Sequence, residues 1–380
     1  MNSTPETRLT LRVPCVCRPR STSIRFNRLL AWTMACLLTG CAVVGPPSIR
    51  NGRAVYNDAI NDTNNQQLLM VVIRSRYSEN SSLLAVSSVT ANVSVVTSAG
   101  VQFGFGNKSN YSGNLVPFSA GAIYEENPTI SYTPVEGQKY LRQLTSPVSL
   151  SVLMPLSEAM VSPGMVLTAL VNRVNDLVNP AFLPSPATPD PRFTRFVELV
   201  SQLGQAEVLN WVEDPGRSGK FSAVIHHYRP GHEAEVRELL QLLGLHRPAA
   251  DAGEIVIPVS RGFGRGKGEG IAFTTRSVFD LVEMLSAAVD IPGEDIEAGA
   301  SVEYPAASPL GRQLHILRSR TEPEDAYIAV KHHEWWYYID KTDQPTKRFF
   351  HLVTVLWSVT IAESTTRAQK APILMLPASH

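Results

Sequence analysis

Nine histidines are spread along a chain of 380 residues, and two short stretches bring several of them beside carboxylates. His226-His227 is followed by His232-Glu233, and His332-His333 by Glu334. Imidazole with carboxylate is the donor set of a zinc-class metal site or of general acid–base catalysis. Neither stretch has the H-E-x-x-H spacing that sets two imidazoles on one helix face. On a strand, His226 and His227 point to opposite faces, so at most one can join His232. A solvated strand end accounts for the first group and a polar hairpin tip for the second. No metal ligand, catalytic residue or cofactor is therefore assigned. A histidine-based site using His226, His232, His332 or His333 stays open as the alternative.

Other chemistry fails on spacing. Arg261-Gly262-Phe263-Gly264-Arg265-Gly266-Lys267-Gly268-Glu269-Gly270 is rich in glycine and base. A P-loop needs Gly where this chain has Arg261 and Ser or Thr where it has Gly268. Counting G-x-G-x-x-G from Gly262 or from Gly264 puts Lys267 or Glu269 in the third glycine slot. The segment reads as a surface loop between two strands, with a weak anion or lipid-headgroup contact as the alternative. No serine sits in a G-x-S-x-G elbow. Glu294-Asp295 and Glu324-Asp325 read as solvated loop charge. The densest unusual feature is Trp335-Trp336-Tyr337-Tyr338. On a strand it places Trp335 and Tyr337 on one face and Trp336 and Tyr338 on the other. One pair fills a core. The other is covered by the chain's own following helix, by interfacial lipid or by a partner, the last of which makes Trp335 and Trp336 the candidate partner contacts.

The elements that must carry these residues can be outlined from periodicity. Tyr56, Ile60, Thr63, Gln67, Met70, Ile73 and Tyr77 step by three or four and predict a long helix over Arg53–Tyr77, ended at Glu79-Asn80-Ser81-Ser82. Residues 83–106 alternate as strand, and a further strand is expected near Asn127–Tyr132. Helices are expected at Gly137–Leu144, Leu150–Met160 and Met165–Val178, as a small layer on the preceding strands. Residues 180–191 hold five prolines and read as a linker. Beyond it strands are expected at Lys220–Tyr228, Glu254–Val259, Ile271–Thr275, Gln313–Arg318, Tyr327–His332, Trp335–Ile339 and Pro372–Pro377. Helices fall at Arg192–Leu203, Glu233–Leu243, Ser277–Val289 and Thr342–Val359. Strands in runs with irregularly placed helices predict an α+β fold: an N-terminal helix, strand and helical region over 49–179, and a mixed module over 192–380.

The start of the chain has its own order. Arg18, Arg20, Arg25 and Arg28 precede an apolar run of about 10 residues, Leu29–Leu38, half of the roughly 20 that a membrane-spanning helix needs. Leu38-Thr39-Gly40-Cys41 follows. Positive charge, a short apolar run and a small-residue junction are the parts of an export signal, cut here between Gly40 and Cys41. The junction resembles the lipobox of bacterial lipoproteins, which implies acylation of Cys41. Two or more acyl chains give stable anchoring where one gives only marginal binding. Residues 1–40 are then a cleaved signal peptide and 41–48 a lipidated tether.

Cysteine and charge agree with this address. All four cysteines, Cys15, Cys17, Cys36 and Cys41, lie at or before the junction. The mature body has no disulfide, cysteine-ligated metal or cysteine nucleophile to build. The leader holds six arginines and one acid, so the remainder keeps 28 of 34 bases and 33 of 34 acids, a net charge of −5. That balance argues against general nucleic-acid binding, which is mostly phosphate neutralisation.

Arg53-Ala54-Val55-Tyr56-Asn57-Asp58-Ala59-Ile60-Asn61-Asp62-Thr63, Gln67-Leu68-Leu69, Val72-Ile73-Arg74-Ser75-Arg76-Tyr77 and Ala85-Val86-Ser87-Ser88-Val89-Thr90 form a recognisable opening. Trp336-Tyr337-Tyr338-Ile339-Asp340 and Lys347-Arg348 form a matching end. Together they resemble a family of uncharacterised proteobacterial lipoproteins. The resemblance implies a periplasm-facing envelope protein and brings no activity, cofactor or catalytic residue with it. Lipoproteins of this type often use Asp after the cysteine for inner-membrane retention, so Ala42 points to the outer membrane. The expected role is a structural or interaction subunit held by its lipid, with a protein partner or a second copy in the envelope.

Overall fold

A computed structural model describes residues 45–81, 83–90, 93–101, 118–126, 129–135, 138–159, 162–179, 190–226, 231–246, 254–262, 270–302, 311–365 and 374–377. The chain divides into two compact units, Met1–Asn61 and Asp62–His380. Helix α1 spans Gly45–Arg76. It begins earlier than its periodicity predicts and takes in the last residues of the expected tether. Pro46 and Pro47 suit a first helical turn, where no intrahelical N–H is required.

The second unit is α+β. Its largest sheet has six strands in the order β6-β5-β10-β9-β8-β7. These are β5 (Val171–Val174), β6 (Leu177–Val178), β7 (Leu209–Glu213), β8 (Phe221–His226), β9 (Glu254–Arg261) and β10 (Ile271–Thr275). All neighbours are antiparallel except β9 and β10. That parallel pair is in register over three residues, from Ile271↔Val259 to Phe273↔Arg261. Glycine is required at the far end of the loop between them: a Cβ on Gly270 would stand 2.7 Å from the Pro258 carbonyl oxygen. Residues 263–269 of the glycine-rich stretch lie outside the described residues.

This sheet corrects two expectations. Met165–Val178 is not one helix. Helix α4 (Pro163–Leu170) stops where Val171 turns extended, and β5 and β6 form a hairpin around Asn175-Asp176. Asn175 has φ +47, a left-handed conformation that asparagine tolerates. Its side chain donates to the Leu243 carbonyl at 2.8 Å and accepts from the Ala272 amide at 2.8 Å. Leu167, Leu170, Val174 and Leu177 are all fully buried, so their apolar spacing was sound, but a hairpin satisfies it as well as a helix. The stretch 180–191 also does not separate two modules. Strands from both sides of it share one sheet. Buried Arg276 donates to the Thr168 and Ala169 carbonyls at 2.9 and 2.8 Å, filling acceptors that the end of α4 leaves open. Residues 180–189 lie outside the described set.

Helix α5 (Pro191–Gln205), capped by Asp190, packs on β6 and β7 and on α6 (Glu233–Leu242), while α7 (Val278–Ala287) follows β10 and opens on a Ser277–Asp280 capping box. Two further helices, α2 (Gln138–Thr145) and α3 (Leu150–Ala159), fall where expected. A three-stranded sheet has β4 (Thr129–Val135) between β1 (Leu83–Thr90) and β14 (Leu374–Pro377). Strands β2 (Val93–Val101) and β3 (Phe118–Glu126) pair with each other.

The last sheet is β11 (Leu317–Ser319), β13 (Trp335–Asp340) and β12 (Ala326–His332), in that order. Strands β12 and β13 form the expected hairpin around His333-Glu334. Its buried face carries Ile328, Val330, His332, Tyr337 and Ile339. Short helix α8 (Gly293–Glu297) lies between α7 and β11 in the chain, and α9 (Gln344–Thr365) follows β13. Within the second unit α1 contributes Leu68, Leu69, Val72, Ile73 and Tyr77 to the core.

Candidate functional site

Among the described residues, a group of carboxylate and imidazole side chains gathers between the end of α1 and the tip of the β12–β13 hairpin. Two left-handed residues build it. Ser78 has φ +56, and with it the Glu79 amide reaches the Arg74 carbonyl at 2.8 Å while the Ser78 amide reaches the Ser75 carbonyl at 3.0 Å. This is the Schellman ending of a helix, with serine in the place glycine usually takes. It fixes Glu79 immediately past the helix. On the other side, His333 has φ +51. His332 closes the ladder opposite Trp335, so His333 is already in the turn and free of strand alternation. Its ring therefore comes to the same side as that of His332, and the two stack with centroids 4.1 Å apart.

Glu79 faces both imidazoles. Its Oε2 is 3.4 Å from His332 Nε2 and its Oε1 is 3.6 Å from His333 Nε2. The three donor atoms lie within 4.8 Å of one another. His332 is 7% exposed, and its Nε2 makes no hydrogen bond with any described atom: the contact with Glu79 is near enough for an ion pair but not aligned as a hydrogen bond. A buried polar atom left in that state costs about 1–3 kcal/mol. The mouth is open, with the His333 side chain 60% exposed and that of Glu79 36%.

Tyr77 braces the cluster from below. Its ring stands 5.3 Å from that of His332 and 5.8 Å from that of His333. Its hydroxyl donates to Asp295 Oδ2 at 2.6 Å and lies 2.7 Å from the Tyr337 hydroxyl. Tyr77 has one proton and gives it to Asp295, so the proton between the phenols is Tyr337's. Burial and the bonds to Asp295 and Tyr337 hold the Tyr77 phenol far above its ordinary range, and burial raises Tyr337 as well. Ser301 completes the frame by donating to the Arg76 carbonyl at 2.9 Å. Burial, then the His333 and Arg74 charges, push His332 below the usual histidine value, against the opposing pull of Glu79. Its neutral imidazole is the form that coordinates a metal or accepts a proton.

The other expected residues fall elsewhere. His226 and His232 line one cleft of about 260 Å³ with Val236, Leu240 and Ile255. There His226 Nδ1 meets Glu254 Oε1 at 3.0 Å, across the register pair His226↔Glu254. His227 lies outside the described residues, as do Gly40 and Cys41. Trp335 and Trp336 part company. Trp335 sits on the inner face beneath Arg318 and Arg320, whose guanidinium carbons are 4.7 and 3.9 Å from the ring centroid. Trp336 is half-buried on the outer face with Tyr338.

Sequence reasoning missed Glu79, which entered only as part of a helix stop, and it missed Asp295, read as loop charge. Neither has a local signal that joins it to the histidines. Comparison of the chain with protein-family models, curated proteins and solved structures found no match in any of the three.

Proposed function

We propose that the chain is a cell-envelope lipoprotein, acylated at Cys41 and facing the periplasm from the outer membrane, which serves as a structural or interaction subunit of an envelope assembly. The observation that supports it is the ordered run of base, short apolar segment, Gly40 and Cys41, with no cysteine later in the chain. The anchor would be the acyl group. Among the described residues no helix is long and apolar enough to cross a membrane. The half-buried Trp336 and Tyr338, on the sheet face away from the core, are the residues this reading offers to a partner, with Trp335 behind them on the inner face.

Labelling cells with radioactive palmitate tests the anchor. The wild-type chain takes up label and sediments with membranes, while Cys41→Ser takes up none and keeps its leader. Equal label and equal processing in the Cys41→Ser chain would sink the proposal. Trp336→Ala then tests the partner: a fold that survives with loss of a discrete envelope complex supports it.

A further inference from the structure

We propose that Glu79, His332 and His333 form a binding site for a zinc-class divalent cation, with a fourth coordination position open to solvent. Donors about 2.0–2.1 Å from a tetrahedral ion stand roughly 3.3–3.4 Å apart. Glu79 Oε2 stands 3.4 Å from His332 Nε2 and Glu79 Oε1 3.6 Å from His333 Nε2, each near that edge, and one donor atom from each of the three residues lies within 4.8 Å of the others, so side-chain rotation must bring them to a single ion. The exposed His333 ring has the freedom to supply it. Two imidazoles and one carboxylate suit zinc and its transition-metal neighbours; calcium and magnesium take oxygen donors.

Three further observations favour a cation over a plain cluster of polar side chains. His332 is more than nine-tenths buried, and its Nε2 faces Glu79 at 3.4 Å without an aligned hydrogen bond, so a buried ring nitrogen is held at ligating distance from a carboxylate. Both backbone bends that deliver the ligands, Ser78 and His333, hold non-glycine residues in the left-handed region. Such positions cluster where a site needs them. Tyr77 packs against both rings and is itself fixed by Asp295, so the imidazoles rest on a rigid floor. Arg74 opposes a cation at His332, and the Glu79 carboxylate, facing both Nε2 atoms, offsets it.

The geometry also defines what the site could do. Three protein ligands with one open position is the arrangement of zinc sites that bind water or an anionic group, while closed structural sites use four. The cation would tie residue 79 to residues 332 and 333, pinning the hairpin tip to the end of α1.

The test uses the whole processed chain, stripped with a chelator, dialysed and titrated with zinc chloride against a chromogenic competitor. About one zinc per chain is expected, and cobalt(II) should give the intense visible absorption of a four-coordinate site. His332→Ala could fail simply by unfolding, because the ring is buried. His333→Ala and Glu79→Gln avoid this, since both side chains reach solvent and the second change keeps the shape. Each should lower zinc affinity by about 100-fold or more and abolish the cobalt spectrum while circular dichroism stays unchanged. Wild-type zinc binding in both variants would overturn the proposal. So would a loss of binding confined to His226→Ala, which would move the metal to the other cleft.

Discussion

His226 and His332 each end a strand beside a glutamate, yet the two surroundings differ in kind. His226 meets Glu254 as a cross-strand neighbour, 3.0 Å away and hydrogen-bonded. That pair follows from sheet register, and its hydrogen bond is made. His332 meets Glu79 across 253 positions of chain, 3.4 Å away and without a hydrogen bond, under a second imidazole and over two linked phenols. A local pair of this sort needs nothing more. An assembled cluster with an unsatisfied buried nitrogen has been held in place by the fold around it, and that is where a ligand is worth seeking.

The largest break in this comparison should come from the floor of the assembled cluster. Tyr337 is fully buried, and Tyr337→Ala removes a ring from the core and the proton donor to Tyr77. Urea unfolding should show a loss of about 3–5 kcal/mol. Tyr77→Phe keeps the ring and removes only the hydroxyl, so about 1–2 kcal/mol is expected. If Tyr337→Ala cost less than Tyr77→Phe, the floor would not be the rigid support described.

A cation should come next. Zinc bound to the folded state alone at about 100 times its dissociation constant would add about 2.7 kcal/mol, read as a higher thermal midpoint. The gain should vanish in His333→Ala and persist in His226→Ala. The same rise in all three would show that the two histidine regions do not differ in the way their geometry suggests.

How much of this was legible in the chain depends on distance. The hairpin around His333-Glu334, the helix that follows it and the α+β class came from alternation and periodicity, which are local. His332 and His333 are marked in the sequence, but a polar hairpin tip accounts for them without any joint role. Their rings come together because His333 lies one residue past the ladder, in a left-handed turn that its own type does not announce. Glu79 could not be found at all, since nothing near it in sequence speaks of residues 332 and 333. The hairpin of β5 and β6 was misread as helix because Leu167, Leu170, Val174 and Leu177 fit both periods once Asn175 turns the chain. The prolines of 180–191 suggested a boundary that the shared sheet does not respect.

Alkaline pH should sharpen the contrast more gently. Both phenols of the assembled cluster hold their protons more tightly when folded than the ordinary tyrosine value of 10.0, through burial first; the bonds to Asp295 and Tyr337 add to this for Tyr77, while for Tyr337 the bond to Tyr77 works against it. Folded values lie above unfolded ones. Their contribution is therefore complete below about pH 10 and is lost as pH rises beyond it, by up to about 1.4 kcal/mol per pH unit for each phenol. Tyr140 is raised by burial too, so the measurement is a difference. Tyr77→Phe should flatten the fall in stability between pH 10 and 11 relative to wild type. Parallel curves would mean that the pair does not titrate with unfolding.

The smallest effect should come from the cross-strand pair. Glu254 is 54% exposed, and a hydrogen-bonded ion pair open to water contributes about 0–1 kcal/mol, less in salt. Glu254→Gln should thus shift the urea midpoint barely at all, and raising the salt concentration should remove what shift there is. His226 also lines the cleft with His232, so a larger loss would mean that Glu254 orders more than its partner's ring. The pair would then need the same scrutiny as the assembled cluster, and His226 and His232 would become the place to look for a ligand. A negligible loss leaves the unsatisfied nitrogen of His332 as the feature that distinguishes one histidine region from the other.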